Sequence, residues 1–87
     1  MDVFTYTVWH RNNALQPEDK DHEVSTSFNV IASNQGSAQQ WGDKQAKRMS
    51  GQRKDTQFVR SQVELGSDPA VPTILYGHDA SDKEIGW

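Results

Sequence analysis

Apolar and polar residues alternate along three stretches of the chain. Over about residues 2–10, aromatic and β-branched residues fill the run, and the same period of two recurs over residues 24–33 and 58–65. Alternation of this kind is typical of a β-strand with one buried face. A short apolar run at residues 73–76 follows Pro72 and predicts a fourth strand at a sheet edge, where proline is tolerated.

Between the second and third of these stretches the period changes to that of a helix. Over residues 37–50, small and apolar residues share one face at i, i+3, i+4, i+7, i+8 and i+11, counted from Ala38. Ser37 is spaced from Gln40 as in a capping box, which predicts the helix start. Gly42 costs about 1 kcal/mol of helix propensity relative to alanine. We attribute its presence to close packing of the helix against the sheet.

The order strand, strand, helix, strand, strand predicts the α+β class. We expect a two-layer ββαβ(β) domain with a mainly antiparallel sheet in the order 2-1-3-4 and one amphipathic helix packed on one face. The domain spans residues 1–76, and residues 77–87 form a loosely structured C-terminal tail. One helix leaves the opposite face of the sheet uncovered. The predicted core consists of Phe4, Tyr6, Val8, Phe28, Val30, Trp41, Ala46, Met49, Val59, Val63 and Leu65.

Composition narrows the class of protein. Only 33% of the 87 residues are apolar, which fits one thin core. No apolar run reaches the roughly 18 residues that a membrane helix needs, and residues 1–6 lack the features of a signal peptide. The absence of cysteine excludes a disulfide framework and a thiol nucleophile. We therefore expect a cytoplasmic protein.

The net charge of −3 hides a segregation of charge along the chain. Residues 37–60 carry a net charge of +4, whereas residues 64–87 carry −4. The basic segment has three interpretations: a solvated helix face favoured by the helix dipole, a site for an acidic protein partner, or a phosphate-binding surface for nucleic acid. The candidate anion-binding residues are Lys44, Lys47, Arg48, Arg53 and Lys54, with Arg60 beyond them.

The uncovered face of the predicted sheet supplies the second candidate surface. By alternation it presents Trp9, Phe58 and Arg60, residue types that anchor protein interfaces or stack on bases. A self-complementary dimer would cover the two aromatic side chains. Alternatively, Ile85 and Trp87 fold back and shield them. We therefore predict that Trp9, Phe58 and Arg60 are the partner-binding residues of this face.

Catalytic and metal chemistry find little support in the sequence. His10, His22 and His78 lie in or next to predicted loops, and His22 has acidic neighbours, but no second cluster has metal-ligand spacing. We assign no catalytic residue, no metal ligand and no cofactor. The predicted function is that of a small non-enzymatic binding protein whose partner is another protein or a second copy. The alternatives are a nucleic-acid-binding protein and a small dimeric enzyme with a histidine acid or base.

Overall fold

Four strands and one helix follow one another in the predicted order strand, strand, helix, strand, strand. The computed structural model describes residues 2–16, 18, 19, 22–75 and 85. Its elements are β1 (Asp2–Asn12), β2 (Glu23–Ala32), α1 (Gln35–Gln52), β3 (Thr56–Leu65) and β4 (Thr73–Leu75). The α+β class, with one helix and a four-stranded sheet, is thereby confirmed.

The strand order is β3-β1-β2-β4, so the predicted position of the fourth strand is wrong. β1 lies between β2 and β3 and is antiparallel to both, as expected. β4 instead pairs in parallel with β2 at the opposite edge, which makes the sheet mixed. Gly66, with φ +117°, follows β3 directly and adopts a conformation that favours glycine. The chain then crosses to the far edge rather than forming a hairpin with β3.

The helix is longer at both ends than the sequence predicts. Its N-cap is Asn34, whose side chain accepts a hydrogen bond from the Ser37 backbone N–H at 2.8 Å. The predicted capping role of Ser37 is therefore wrong, because an amide three residues earlier already caps the helix. α1 continues through Gly51 and ends at Gln52. The left-handed residue of the following turn is Asp55, with φ 67°.

Gly42 is the point of closest approach between helix and sheet. A Cβ atom at this position would lie 2.4 Å from Cε2 of Tyr6, so only glycine admits the ring. The Tyr6 ring packs at 5.0 Å from Phe28, which in turn meets Trp41 edge to face at 5.8 Å. The close packing that we inferred from the glycine is confirmed.

Most of the predicted core residues are buried between α1 and the sheet, but two of them are not. Leu65 is 74% exposed and Val59 is half-buried. Leu65 lies at the end of an edge strand, and the fourth strand that was expected to cover it pairs at the other edge. The buried apolar residues are Phe4, Tyr6, Val8, Phe28, Val30, Ala32, Ala38, Trp41, Ala46, Met49, Val63, Ile74 and Ile85. The predicted tail lies outside the described residues, except for Ile85, which is 1% exposed within this core.

Candidate binding surface on the open sheet face

The sheet face opposite α1, here called the open face, has two ends of different character. Thr5, Thr7, Trp9 and Arg11 of β1 point to this face, because the alternate residues of β1 are buried under the helix. Beside Thr5, the connection between β3 and β4 covers the sheet. Beside Trp9, the exposed side chain of Arg60 lies on this face. We call these regions the Asn29 end and the Trp9 end.

Asn29 fastens the β3–β4 connection to the Asn29 end. Its side chain is 1% exposed and donates to the Asp68 carbonyl at 2.8 Å, to Thr73 Oγ1 at 3.2 Å and to the Val71 carbonyl at 3.4 Å. Its Oδ1 accepts from the Asp68 backbone N–H at 2.9 Å and from Thr5 Oγ1 at 3.0 Å. A buried amide with this many partners closes one end of a face that we expected to be uncovered.

At the Trp9 end, an arginine lies flat over an indole ring. Arg60 is opposite Trp9 in the antiparallel register, and its guanidinium carbon is 3.9 Å from the centre of the Trp9 ring. The distance is within the range of a cation–π contact. Trp9 is half-buried and Arg60 is exposed, so one side of the pair is open to solvent. The two residues were predicted to share this face, and the structure brings them into contact.

The surroundings of this pair are polar and balanced in charge. Thr7 Oγ1 and Ser27 Oγ share a hydrogen bond of 2.8 Å across β1 and β2. Arg11 forms an ion pair with Glu23 at 3.7 Å on the outer side of Trp9. Towards the Asn29 end, Gln62 donates to Glu64 at 2.6 Å. Two arginines and two glutamates therefore flank the centre of the open face.

Phe58 is not part of this face, contrary to the prediction. A β-bulge between Trp9 and His10 shifts the register of β3, so that Phe58 lies opposite His10. Its ring packs against the core beneath α1, 6.3 Å from the His10 ring and 5.3 Å from Lys47 Nζ. The consecutive apolar pair Phe58 and Val59 interrupts the alternation and is the sequence signal of the bulge.

The basic residues fall into two groups on opposite sides of the sheet. One group lies on the outer side of α1 and in the turn after it, where every member is exposed: Lys44, Lys47, Arg48, Arg53 and Lys54. Arg60 lies on the open face instead, stacked on Trp9. The sequence placed Arg60 next to the helix cations, but the sheet separates them. An aromatic platform and a basic helix therefore do not form one continuous surface.

The histidines differ in environment. His10 is 4% exposed on the helix side of β1, which corrects its predicted place near a loop. Burial lowers its pKa, the backbone hydrogen bond to Ala46 opposes this, and the charge of Arg53 lowers it further. His22 Nδ1 is 3.1 Å from the Asn12 carbonyl oxygen, while His78 lies outside the described residues. In the described part of the chain, no three His, Asp or Glu residues are grouped as a metal site would require.

The second buried titratable group is the Tyr6 phenol. It donates a hydrogen bond of 2.7 Å to Asp43 Oδ1. Burial raises the pKa of Tyr6 well above its usual value of 10.0, and the hydrogen bond and negative charge of Asp43 add to the effect. Its hydroxyl is 0% exposed with the rest of the residue, so this group holds the helix on the sheet and does not meet solvent.

Comparisons with known proteins add no functional information. No family model, no curated protein and no solved structure matches this chain. Within the described residues, no helix is both long enough and apolar enough to cross a membrane.

Proposed function

We propose that this chain is a non-catalytic binding domain that recognises another protein through the Trp9 end of its open face. The observation that carries the proposal is the stack of the exposed Arg60 on the half-buried Trp9, at 3.9 Å. Tryptophan and arginine are the residue types most enriched among the energetically dominant positions of protein interfaces.

The stack is also pre-organised for binding. Trp9 and Arg60 stand on adjacent paired strands, so neither has to be ordered by the partner. Immobilising a long side chain at an interface costs about 0.5–1.5 kcal/mol, and contact with the indole has already limited the motion of the Arg60 guanidinium. Short hydroxyl side chains from Thr7 and Ser27 lie beside the pair. A partner can therefore approach the indole without displacing bulky neighbours.

The charge balance of this region favours a protein over a nucleic acid. Glu23 is paired with Arg11, and Glu64 lies four residues from Arg60 on the same face of the same strand. A nucleic-acid surface gains its affinity from an excess of positive charge that releases counterions. With as many carboxylates as guanidinium groups around Trp9, the open face lacks that excess.

The test is capture of partners with a matched pair of variants. Immobilised wild-type protein, Trp9→Ala and Lys44→Ala are exposed to an extract of the source cells, and bound proteins are quantified by mass spectrometry. We expect at least one protein to bind wild type and Lys44→Ala equally but to be lost about tenfold with Trp9→Ala. The same protein, purified, should show this difference in a direct titration. Equal capture by all three baits, or capture abolished by nuclease, would contradict the proposal.

The exposed cations of α1 favour a second candidate function, nucleic-acid binding through phosphate contacts. Lys44, Lys47 and Arg48 are exposed on the helix, and Arg53 and Lys54 extend the positive surface beyond it. Labelled single-stranded DNA and RNA should then bind at low salt and weaken steeply as salt rises, with neutralisation of Lys44 and Lys47 reducing the slope. An absence of binding at low salt would exclude this function.

A further inference from the structure

The outer edge of β3 is long and carries exposed apolar surface. β3 spans Thr56–Leu65, and its one strand neighbour is β1. Natural sheets usually blunt such an edge, because its backbone groups can pair with another strand. Along this edge the Val63 carbonyl accepts a hydrogen bond of 2.9 Å from Gln35 Nε2, and the Thr56 N–H bonds to the Arg53 carbonyl at 3.5 Å. Leu65, at the end of the edge, is 74% exposed.

We propose that two copies of this chain pair their β3 strands edge to edge, antiparallel, about a two-fold axis at Gln62. The pairing is made through the edge of the sheet and shares one residue, Arg60, with the stack on Trp9. It joins two four-stranded sheets into one of eight strands, with both helices on the same face.

The directions of the backbone groups are compatible with this pairing. The Gly66 N–H bonds to the Val3 carbonyl of β1, whereas the Val63 carbonyl points outward to Gln35. Because the direction of the backbone N–H and C=O groups alternates along a strand, those of Ser61 and Leu65 also point outward. An axis at Gln62 places Ser61 opposite Val63 of the second copy. The outward-pointing backbone N–H and C=O groups of the two strands can then hydrogen-bond to each other, once the flexible Gln35 side chain releases the Val63 carbonyl.

The charges on the strand select this register. Arg60 and Glu64 lie on the open face, two residues on either side of Gln62. An axis at Gln62 therefore places Arg60 opposite Glu64 of the second copy, twice by symmetry. Axes at Arg60 or at Glu64 would set like charges against each other, which destabilises a strand pair. Axes at Ser61 or at Val63 would pair neither charge with its opposite.

The same register accounts for the two predicted core residues that are not buried. Pairing about Gln62 sets Leu65 opposite Val59 of the second copy, at the bulge of that strand. Leu65 is 74% exposed and Val59 is half-buried in the single chain. Each would be covered by the other in the dimer. Both residues, which the alternation pattern predicts to be buried, would then be buried in the dimer and not in the single chain.

The first test exchanges charges across the axis. The molecular mass of the intact protein is measured by sedimentation from micromolar to millimolar concentration. We expect a reversible dimer whose dissociation constant rises at least about tenfold with Glu64→Lys and returns when Arg60→Glu is added. Glu18→Lys, which makes the same change of charge in an exposed loop, should leave the dimer unchanged. A monomer at every concentration, or a dimer indifferent to Glu64→Lys, would overturn the proposal.

The second test reads the register directly and does not depend on affinity. The chain has no cysteine, so single cysteines are clean probes. Gln62→Cys at the axis would face its own copy with Cα atoms about 4.5 Å apart, within disulfide reach. We expect it to form disulfide-linked dimers about ten times faster than Glu64→Cys, two residues further along the same face. Equal rates for the two variants would exclude this register.

Discussion

The two faces of the sheet are closed by different kinds of interaction. The face under the helix is covered by close packing of side chains. Gly42 has no side chain and so admits the Tyr6 ring, and aromatic rings fill the space around it. The open face is closed at one end by hydrogen bonds to Asn29 and left to solvent at the Trp9 end. Stability therefore resides in the covered face and the Asn29 end. We expect folding to depend least on the Trp9 end, where we propose that the partner binds.

The largest effect is expected from a methyl group added on the covered face. Gly42→Ala places a Cβ atom 2.4 Å from the Tyr6 ring, so the helix or the ring must shift. Overpacking of this kind costs about 1–3 kcal/mol or more, which outweighs the gain of about 1 kcal/mol in helix propensity. Urea unfolding at neutral pH measures the difference.

Gly51→Ala is the matched control for this variant. It lies in the same helix, and nothing is within 4 Å of its added Cβ. We expect it to raise the free energy of unfolding by a few tenths of a kcal/mol, up to about 1. If the two glycine variants changed stability equally, the close approach at Tyr6 would not be what requires Gly42.

The next largest effect is expected at the Asn29 end. Asn29→Ala removes an amide that bonds both Asp68 backbone groups and Thr73 Oγ1, and buried groups left without partners cost about 1–3 kcal/mol. We expect a loss of about 2–3 kcal/mol and faster hydrogen exchange in residues 66–75. Ser27→Ala, on the same strand and face, should cost less than about 1 kcal/mol. Unchanged exchange in the connection would show that it is held by other contacts.

Local patterns were sufficient to predict the elements of the fold and the face that α1 buries. Alternation placed Phe4, Tyr6 and Val8 on one side of β1, and a glycine within a helix pointed to close packing. These features depend on residues that are near in sequence. The helix ends were less predictable, because Asn34 competes with Ser37 for the same role.

The features that local patterns missed depend on residues far apart in sequence. The position of β4 follows from the capture of the β3–β4 connection by Asn29, 39 residues before Asp68, and a single asparagine in a strand carries no such signal. Phe58 changed faces because of a bulge between Trp9 and His10 on the neighbouring strand. Of the predicted face residues Trp9, Phe58 and Arg60, two therefore lie on the open face and one packs against the core on the other face.

A smaller effect separates hydrogen bonding from packing on the covered face. Tyr6→Phe keeps the ring against Gly42 but removes the hydrogen bond to Asp43, which costs about 1 kcal/mol at neutral pH. The pKa of Tyr6 is raised in the folded state, so its stabilising effect is present below the unfolded value of 10.0 and is lost as pH rises above it. Thermal unfolding from pH 8 upward should therefore show a steeper decline for wild type than for Tyr6→Phe.

His10 gives the opposite dependence on pH. Burial holds its pKa below the usual 6.5, so the unfolded chain takes up a proton first as pH falls. The contribution of His10 to stability should be constant above about pH 7 and decrease as pH drops through 6.5. NMR titration of the folded protein should find the pKa of His10 below its usual value of 6.5. A His10 that titrates at its usual value would mean that its ring meets solvent, which would revive the interpretation of His10 as an acid or base.

The smallest effect on stability is expected at the Trp9 end. Its size tests whether this end differs from the covered face and the Asn29 end. Arg60→Gln removes the cation from the Trp9 ring, and an exposed contact of this kind contributes about 0.5–1 kcal/mol. Urea unfolding at low protein concentration measures the loss without a contribution from self-association. Tryptophan fluorescence should shift as the indole loses its cover, while the rest of the fold is unchanged. A loss above about 2 kcal/mol would show that the stack is needed for the stability of the fold, which would contradict its proposed role as a surface for a partner.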